Sequence, residues 1–539
     1  MKRRIALPLA LVVGAVWALV QAPAPRSLAG YVPAGPLLVL EARDFAALLR
    51  DWNGSAEKKL WLASANFEVF SRSRLYQRLA EAHKEFAAAA GFPPDMSLLD
   101  SAAGDESVLA LYDIGKLEFL YITRLPSARA IETMLWRTRG NYETRQAAGV
   151  DYFVRVDPVS RRVAAFAATN DYLLIATRED LIPAALNLLA GSGGSAVTSE
   201  EWYAAPVRAA RQRGELRLVM NLAALVRSPY FRSYWVQRNT SVVSQFHAGI
   251  ADVFRSPAEI REERVLLRFG QAPPAVRSAV MGQALQMVPD DAGLFRAWAN
   301  PTPEAALEVL VARVLDPQPG PERPSEIAPT APVASVAGTE EDLETRIDEP
   351  PLARTGGRFD SAPLRKLFEA AGLQAMMETG ATRVLPEGVF VNIDSAVALI
   401  ASSDWDAGAV RNALSTAAET GPLGRIAFET SGRVLVIGNS AELVKKVATR
   451  AAGPAPNSGA AYAAAFNAAV ERPNFERLTT LIDSVSSREP RGPERQPRFF
   501  SENIASLGRT LGRVQSMAVV REDAGNTVTE TVTYRLGQP

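Results

Sequence analysis

Residues 165–182 read AFAATNDYLLIATREDLI and residues 427–444 read AFETSGRVLVIGNSAELV, and the two align without a gap at an offset of 262. A repeat of this kind constrains a fold more than any single motif, because each copy must bury the same face in the same way. Each stretch predicts a strand, a tight turn (Asn170-Asp171, then Ser431-Gly432), a second strand and the start of an amphipathic helix. Glu179, Asp180 and Glu442 lie where those helices begin, and a helix dipole favours acids there. Three further matches keep the same chain order. Val32-Pro33 returns as Val288-Pro289, Tyr203-Ala204-Ala205 opens a helix that returns at Tyr462-Ala463-Ala464, and ERVLLRFG at 263–270 returns as ETVTYRLG at 530–537. The collinear set predicts two tandem, diverged copies of one unit, spanning residues 30–270 and 284–539.

Each copy follows one plan. A strand at Leu37 to Glu41 leads into helical sequence, strongest from Arg74 to Ala90, where Leu75, Leu79 and Phe86 form an apolar stripe. A hairpin follows (Val108 to Tyr112, Leu117 to Thr123), with its counterpart expected at Val389 to Ile393 and Ala396 to Ala401. A helix comes next in both copies, at Ala128 to Arg137 and at Ala407 to Thr416, then the matched hairpin and helix, a further helix and a closing strand. Short hairpin turns require antiparallel pairing. The fold class is therefore α+β: two tandem copies of an antiparallel sheet packed with helices, related as a pseudo-two-fold duplication.

Two segments interrupt the second copy. Residues 317–356 hold eight prolines, eight acids and three arginines, a composition expected of a disordered insert or tether. Residues 487–498, with Pro490, Pro493 and Pro497 among charges, read as a second mobile loop. The matching region of the first copy carries aromatics instead. Tyr230, Phe231, Tyr234 and Trp235, with Arg232 and Arg238 nearby, are the candidate interaction surface. The competing reading is that they fill space between helix and sheet.

Lys2, Arg3 and Arg4 precede an apolar run from Ile5 to Val20, the pattern of an export signal. The run is shorter than the ~20 residues that span a bilayer comfortably. Residues 1–29 are thus expected to be a signal peptide or an N-terminal anchor, with Ser27-Leu28-Ala29 before Gly30 as the best small-residue cleavage site. Pro33-Ala34-Gly35, followed by Leu37-Leu38-Val39-Leu40-Glu41 and Asp44, resembles the start of exported bacterial proteins grouped only as a family of unknown function. That resemblance implies duplicated strand–strand–helix units behind a signal or anchor, and the N-terminal export pattern sets the expected location as the periplasm or the outer face of the inner membrane. It implies no catalytic residues.

Composition closes several chemistries. Lysine plus arginine equals aspartate plus glutamate at 59 each, so the basic footprint of a nucleic-acid binder is missing. The chain has no cysteine, which excludes disulfides, thiolate metal sites and cysteine nucleophiles. It has two histidines, His83 and His247, and neither has a second ligand at helical spacing. Ser55-Ala56-Glu57-Lys58 fits the Ser-x-x-Lys of serine acyl enzymes, but the companion Ser-Asp-Asn and Lys-Thr-Gly elements are missing. Asp290-Asp291 and Asp404-Trp405-Asp406 read as turn and cap acids, because the alternating acids and glycine of a calcium loop are lacking. Gly191-Ser192-Gly193-Gly194-Ser195 follows a helix and lacks a lysine, so it reads as a linker and not a phosphate loop.

No catalytic, cofactor-binding or metal residues are assigned, and no cofactor is expected. The reading leans to a non-enzymatic exported envelope protein that binds a partner protein or an apolar ligand. Membrane contact is expected only through the N-terminal segment, if uncleaved. The alternatives are an envelope hydrolase with a dispersed active site, or a tethering protein that uses the Pro-rich insert.

Overall fold

A continuous apolar run is buried on both faces, whereas alternation leaves one face polar, and both patterns build strands here. Tyr172–Ala176 is of the first kind; Thr527–Leu536, which alternates threonine with buried Val528, Glu530 and Val532, is of the second. The computed structural model describes residues 27–72, 74–93, 96–228, 243–270, 279–315, 361–384, 391–420, 426–473 and 512–537. Helices and antiparallel strands both make up large shares of it, an α+β fold. The chain divides into two compact units. One comprises residues up to Ala46 with His83–Ala204; the other comprises Ala47–Ala82 with residues from Ala205 onward.

The first unit holds β1 (Leu38–Arg43), β2 (Glu106–Asp113), β3 (Glu118–Arg124), β4 (Glu143–Ala147), β5 (Val150–Val156), β6 (Val163–Thr169) and β7 (Tyr172–Ala176). They pair antiparallel in the order β1-β2-β3-β7-β6-β5-β4. Phe166 on β6 centres its core, stacked on Phe153 at 5.0 Å and met edge-on by Tyr142 at 5.2 Å.

The second unit holds β8 (Leu216–Met220), β9 (Phe246–Arg255), β10 (Glu259–Arg268), β11 (Leu294–Ala299), β12 (Leu373–Val384), β13 (Val391–Ala401), β14 (Ala427–Ser431), β15 (Val434–Gly438), β16 (Tyr462–Asn467), β17 (Val514–Asp523) and β18 (Thr527–Leu536). Their order is β14-β15-β13-β12-β11-β16-β17-β18-β10-β9-β8, again antiparallel. Alternate residues of β11 and β12 feed two cores. Trp298 and Met376 meet Leu307, Phe368 and Val410 from helices Pro303–Leu310, Ala362–Ala371 and Ala407–Thr420. Ala297, Ala375 and Met377 meet Met281 and Val444 from helices Ala279–Gln286 and Ala441–Arg450 on the other face.

The same registers occur twice. Leu38 faces Leu111 as Leu294 faces Gly380, and Leu120 faces Ala176 as Ala396 faces Gly438. Ala165 faces Ala176 as Ala427 faces Gly438, and Leu216 faces Val253 as Tyr462 faces Arg521. The hairpin β9–β10 spans 246–268 and β17–β18 spans 514–536, a constant separation of 268. Where β10 meets β18, Glu263 lies directly opposite Thr531, its own counterpart at that separation. Equivalent residues facing each other is the signature of a local two-fold axis, as in an isologous interface.

Several sequence expectations need correction. ERVLLRFG at 263–270 and ETVTYRLG at 530–537 are not in equivalent register, because the strands align at 268 and not 267; one residue of slip turns each side chain to the other face. Tyr203 lies in helix Glu201–Ala209, but Tyr462-Ala463-Ala464 lies in β16, whose pairing matches β8. Val389 to Ile393 and Ala396 to Ala401 were expected as two strands; Val391–Ala401 is one strand, and β12 is its hairpin partner. The single helix expected at Ala128 to Arg137 is two short ones, Ser127–Ala130 and Met134–Arg137, separated by the Thr133 cap. The turn expected at Ser431-Gly432 is Gly432-Arg433, with Gly432 at φ 55°. Apart from these corrections, Leu28 and Ala29 precede β1 and are buried in the first unit. The 317–356 insert and the 487–498 loop lie outside the described residues.

Candidate functional site

Charged residues in otherwise apolar strands mark the place to look, since burial of an unpaired charge is expensive. β11 reads LFRAWA and β12 reads LQAMMETGATRV, and their registers set Arg296 directly opposite Glu378. On its other side Arg296 faces Ala464 of β16, which faces Val519 of β17. One residue row thus crosses four strands on one face. The next row along is apolar, with Leu294 opposite Phe466 and Phe466 opposite Met517.

These rows line an open pocket of about 300 Å³, at the lower end of the range of small-molecule sites. Leu294, Ala464, Phe466, Met517 and Val519 form apolar walls, and Arg313 reaches in from the π-helical turn Val311–Leu315 that ends helix Pro303–Leu310. The pocket therefore sits where the helical layer over the sheet stops. Phe466 is 39% exposed at its rim, a large apolar side chain left half in water.

The polar groups converge on Glu378, which is only 2% exposed as a residue. Its Oε1 accepts from Arg296 Nε, and Arg313 Nε lies 3.5 Å from Oε2. Oε2 is nevertheless buried without a hydrogen-bond partner. The side chains of Arg296 and Arg313 are 41% and 52% exposed, so their outer N–H groups remain open to solvent or to a ligand. The hydrogen bond to Glu378 holds the Arg296 guanidinium above its ordinary pKa. The pocket's ionic groups sum to one net positive charge.

A second buried carboxylate on the same face makes the contrast. Glu530 on β18 accepts from Arg264 through Oε1 at 2.8 Å and from Arg521 through Oε2 at 2.7 Å. Both its oxygens are used, as buried polar atoms normally are. Glu378 is left one partner short, and it is the one that faces a cavity. In the matching register of β1 and β2 the positions of Arg296 and Glu378 are taken by Leu40 and Leu109, which also face each other. The charged pair lies on β11 and β12, and the β1–β2 pair carries leucines at the corresponding register.

The residues singled out in the sequence fall elsewhere. Tyr230, Phe231, Tyr234 and Trp235 lie outside the described residues. Ser55 caps helix Ala56–Leu62, accepting from the Lys58 backbone N–H at 3.1 Å, while Lys58 Nζ donates to Asn53. That geometry accounts for the Ser-x-x-Lys spacing. His83 is exposed on helix Arg74–Ala90, and the His247 ring lies 5.6 Å from Phe269. Asp290 and Asp291 pair with Arg450 and Lys446, and Asp406 accepts from the Gly408 and Ala409 N–H groups. Gly191 caps helix Leu181–Ala190 in the left-handed conformation. Among the described residues no three acidic or histidine side chains cluster as a metal site. No described helix is long and apolar enough to cross a membrane.

No family model matches the chain, and no curated protein matches it. Among solved structures, crystal forms I and III of TP0453 are similar at TM-scores of 0.27 and 0.24, with 11% and 10% identity. The likeness covers 46% of this chain and 81% and 82% of those chains. Similarity that weak carries no argument about function.

Proposed function

We propose that this protein is an exported, non-enzymatic envelope protein that holds an apolar ligand on one half of a duplicated α+β scaffold. The observation that carries this reading is the open, apolar-walled pocket at the end of the helical layer, with Phe466 half exposed on its rim. Exposed apolar surface in a concavity is stabilised by an apolar occupant at about 25 cal/mol per Å² removed from water. The twofold recurrence of the strand registers supports duplication. The basic residues Lys2 to Arg4 and the apolar run after them support export.

Native mass spectrometry of the protein purified from its own envelope tests this. The reading expects a small co-purifying species that disappears when Ala464→Trp fills the pocket. A folded wild-type protein that comes out empty, and takes up no decyl-chain compound added afterwards, overturns it.

A further inference from the structure

The pocket combines three features that an apolar hole does not need: a buried carboxylate with one unused acceptor, two guanidinium groups at the mouth, and a net positive charge. A purely apolar occupant would leave Glu378 Oε2 unsatisfied, and a buried acceptor without a donor is costly. An anion alone would suit the arginines but not that oxygen. A cation would suit the carboxylate and be repelled by both arginines. The occupant that satisfies all of them carries an anionic group beside a hydroxyl or N–H donor.

The volume sets its size. About 300 Å³ accommodates roughly ten water-sized groups at ~30 Å³ each. This matches a single chain of about ten carbons lying along Phe466, Met517 and Val519. Resting on the apolar-ligand reading above, we infer that the pocket binds a single-chain amphiphile whose acidic head bears an adjacent donor. The acid lies against Arg296 and Arg313, and the donor is given to Glu378 Oε2. The β1–β2 pair, with Leu40 and Leu109 in the matching register, has no counterpart of this head-group site.

Calorimetric titration of the full chain with five probes tests the assignment: 3-hydroxydecanoate, decanoate, decanol, decyltrimethylammonium and 3-hydroxybutyrate. Expected is tightest binding of 3-hydroxydecanoate, with decanoate weaker by at least about tenfold, ~1.4 kcal/mol. Decanol should be weaker still, the cation should not bind, and the short acid should bind negligibly. Arg313→Gln, at a half-exposed position, should weaken both acids and leave decanol unchanged. Glu378→Gln should erase the preference for the hydroxyl; the Arg313→Gln result stands if that variant fails to fold. Decanol binding as tightly as the acids, in a manner blocked by Ala464→Trp, overturns the head-group assignment and leaves the apolar-ligand reading standing. Equal binding of 3-hydroxybutyrate also overturns it, because the chain would then contribute nothing. No binding of any probe overturns both.

Discussion

Replacing Arg296 with leucine should be far more damaging than replacing Arg296 and Glu378 together. Glu378 is 2% exposed, and Arg296 supplies its one hydrogen bond; Arg313 approaches only to 3.5 Å. Arg296→Leu therefore leaves a buried, poorly compensated carboxylate, which costs about 3–5 kcal/mol. Glu378→Leu leaves two arginines that are about half exposed and can rehydrate, so its cost should be about 1 kcal/mol. The double variant recreates the leucine pair that Leu40 and Leu109 form between β1 and β2, and should lie within about 1.5 kcal/mol of wild type. The coupling in this double-mutant cycle is then at least about 2.5 kcal/mol. Urea titrations read through hydrogen exchange of the β11 and β12 amides follow this sheet separately from the rest of the chain. Additive single effects, or an Arg296→Leu loss below about 1 kcal/mol, would refute the reasoning.

Three further outcomes follow from other contacts. Arg268 holds the Asp523 carboxyl below its ordinary range through a bidentate pair at 2.7 Å; a depressed folded-state pKa stabilises above the unfolded value and is lost as pH falls through the folded one. The melting-temperature gap between wild type and Asp523→Asn should thus be present at neutral pH and close below about pH 4, and a gap constant with pH contradicts this. A Cβ on Gly282 would sit 1.8 Å from the Pro456 carbonyl oxygen, so Gly282→Ala should lower stability by about 1–3 kcal/mol in denaturant titration. A chain starting at Gly30 loses Leu28, which is 1% exposed, and Ala29; it should be less stable by at least about 2 kcal/mol than one starting at Ser27, and equal melting of the two contradicts the core role of Leu28.

The sequence was most legible where local and tertiary signals agree. Helix Arg74–Ala90 and the 165–182 and 427–444 stretches were located well, because apolar periodicity and turn residues both point the same way there. It was least legible where identity and register part. Tyr203 and Tyr462 share a three-residue string, but one backbone is helical and the other extended, because β16 is claimed by β11 and β17 on either side. The β10 and β18 strings match best one residue out of their true register, since side-chain parity depends on partners and not on letters. Hairpin β4–β5 escaped notice because Glu143–Ala147 is a polar, exposed edge strand with no apolar pattern to reveal it. The pocket was not legible at all. Arg296 and Glu378 lie 82 positions apart, and only the β11–β12 register makes them opposite. A glutamate amid the methionines and alanines of β12 was the one clue available.

The claim on which the rest depends is that the β9–β10 and β17–β18 hairpins are equivalent units meeting about a local two-fold axis at Glu263 and Thr531. The cysteine-free chain makes the test clean, because an introduced cysteine pair is the only possible disulfide. Arg261 faces Thr533 and Val265 faces Thr529, two pairs that the axis exchanges. Directly opposed antiparallel positions fall within disulfide reach. Arg261→Cys/Thr533→Cys and Val265→Cys/Thr529→Cys should each close an intramolecular disulfide, at closely matched rates, when followed by mass spectrometry during mild oxidation. Glu263→Cys/Glu530→Cys, the register that string matching favours, should stay reduced because its side chains lie on opposite faces. Closure of that pair, with the two symmetric pairs remaining open, would contradict the account.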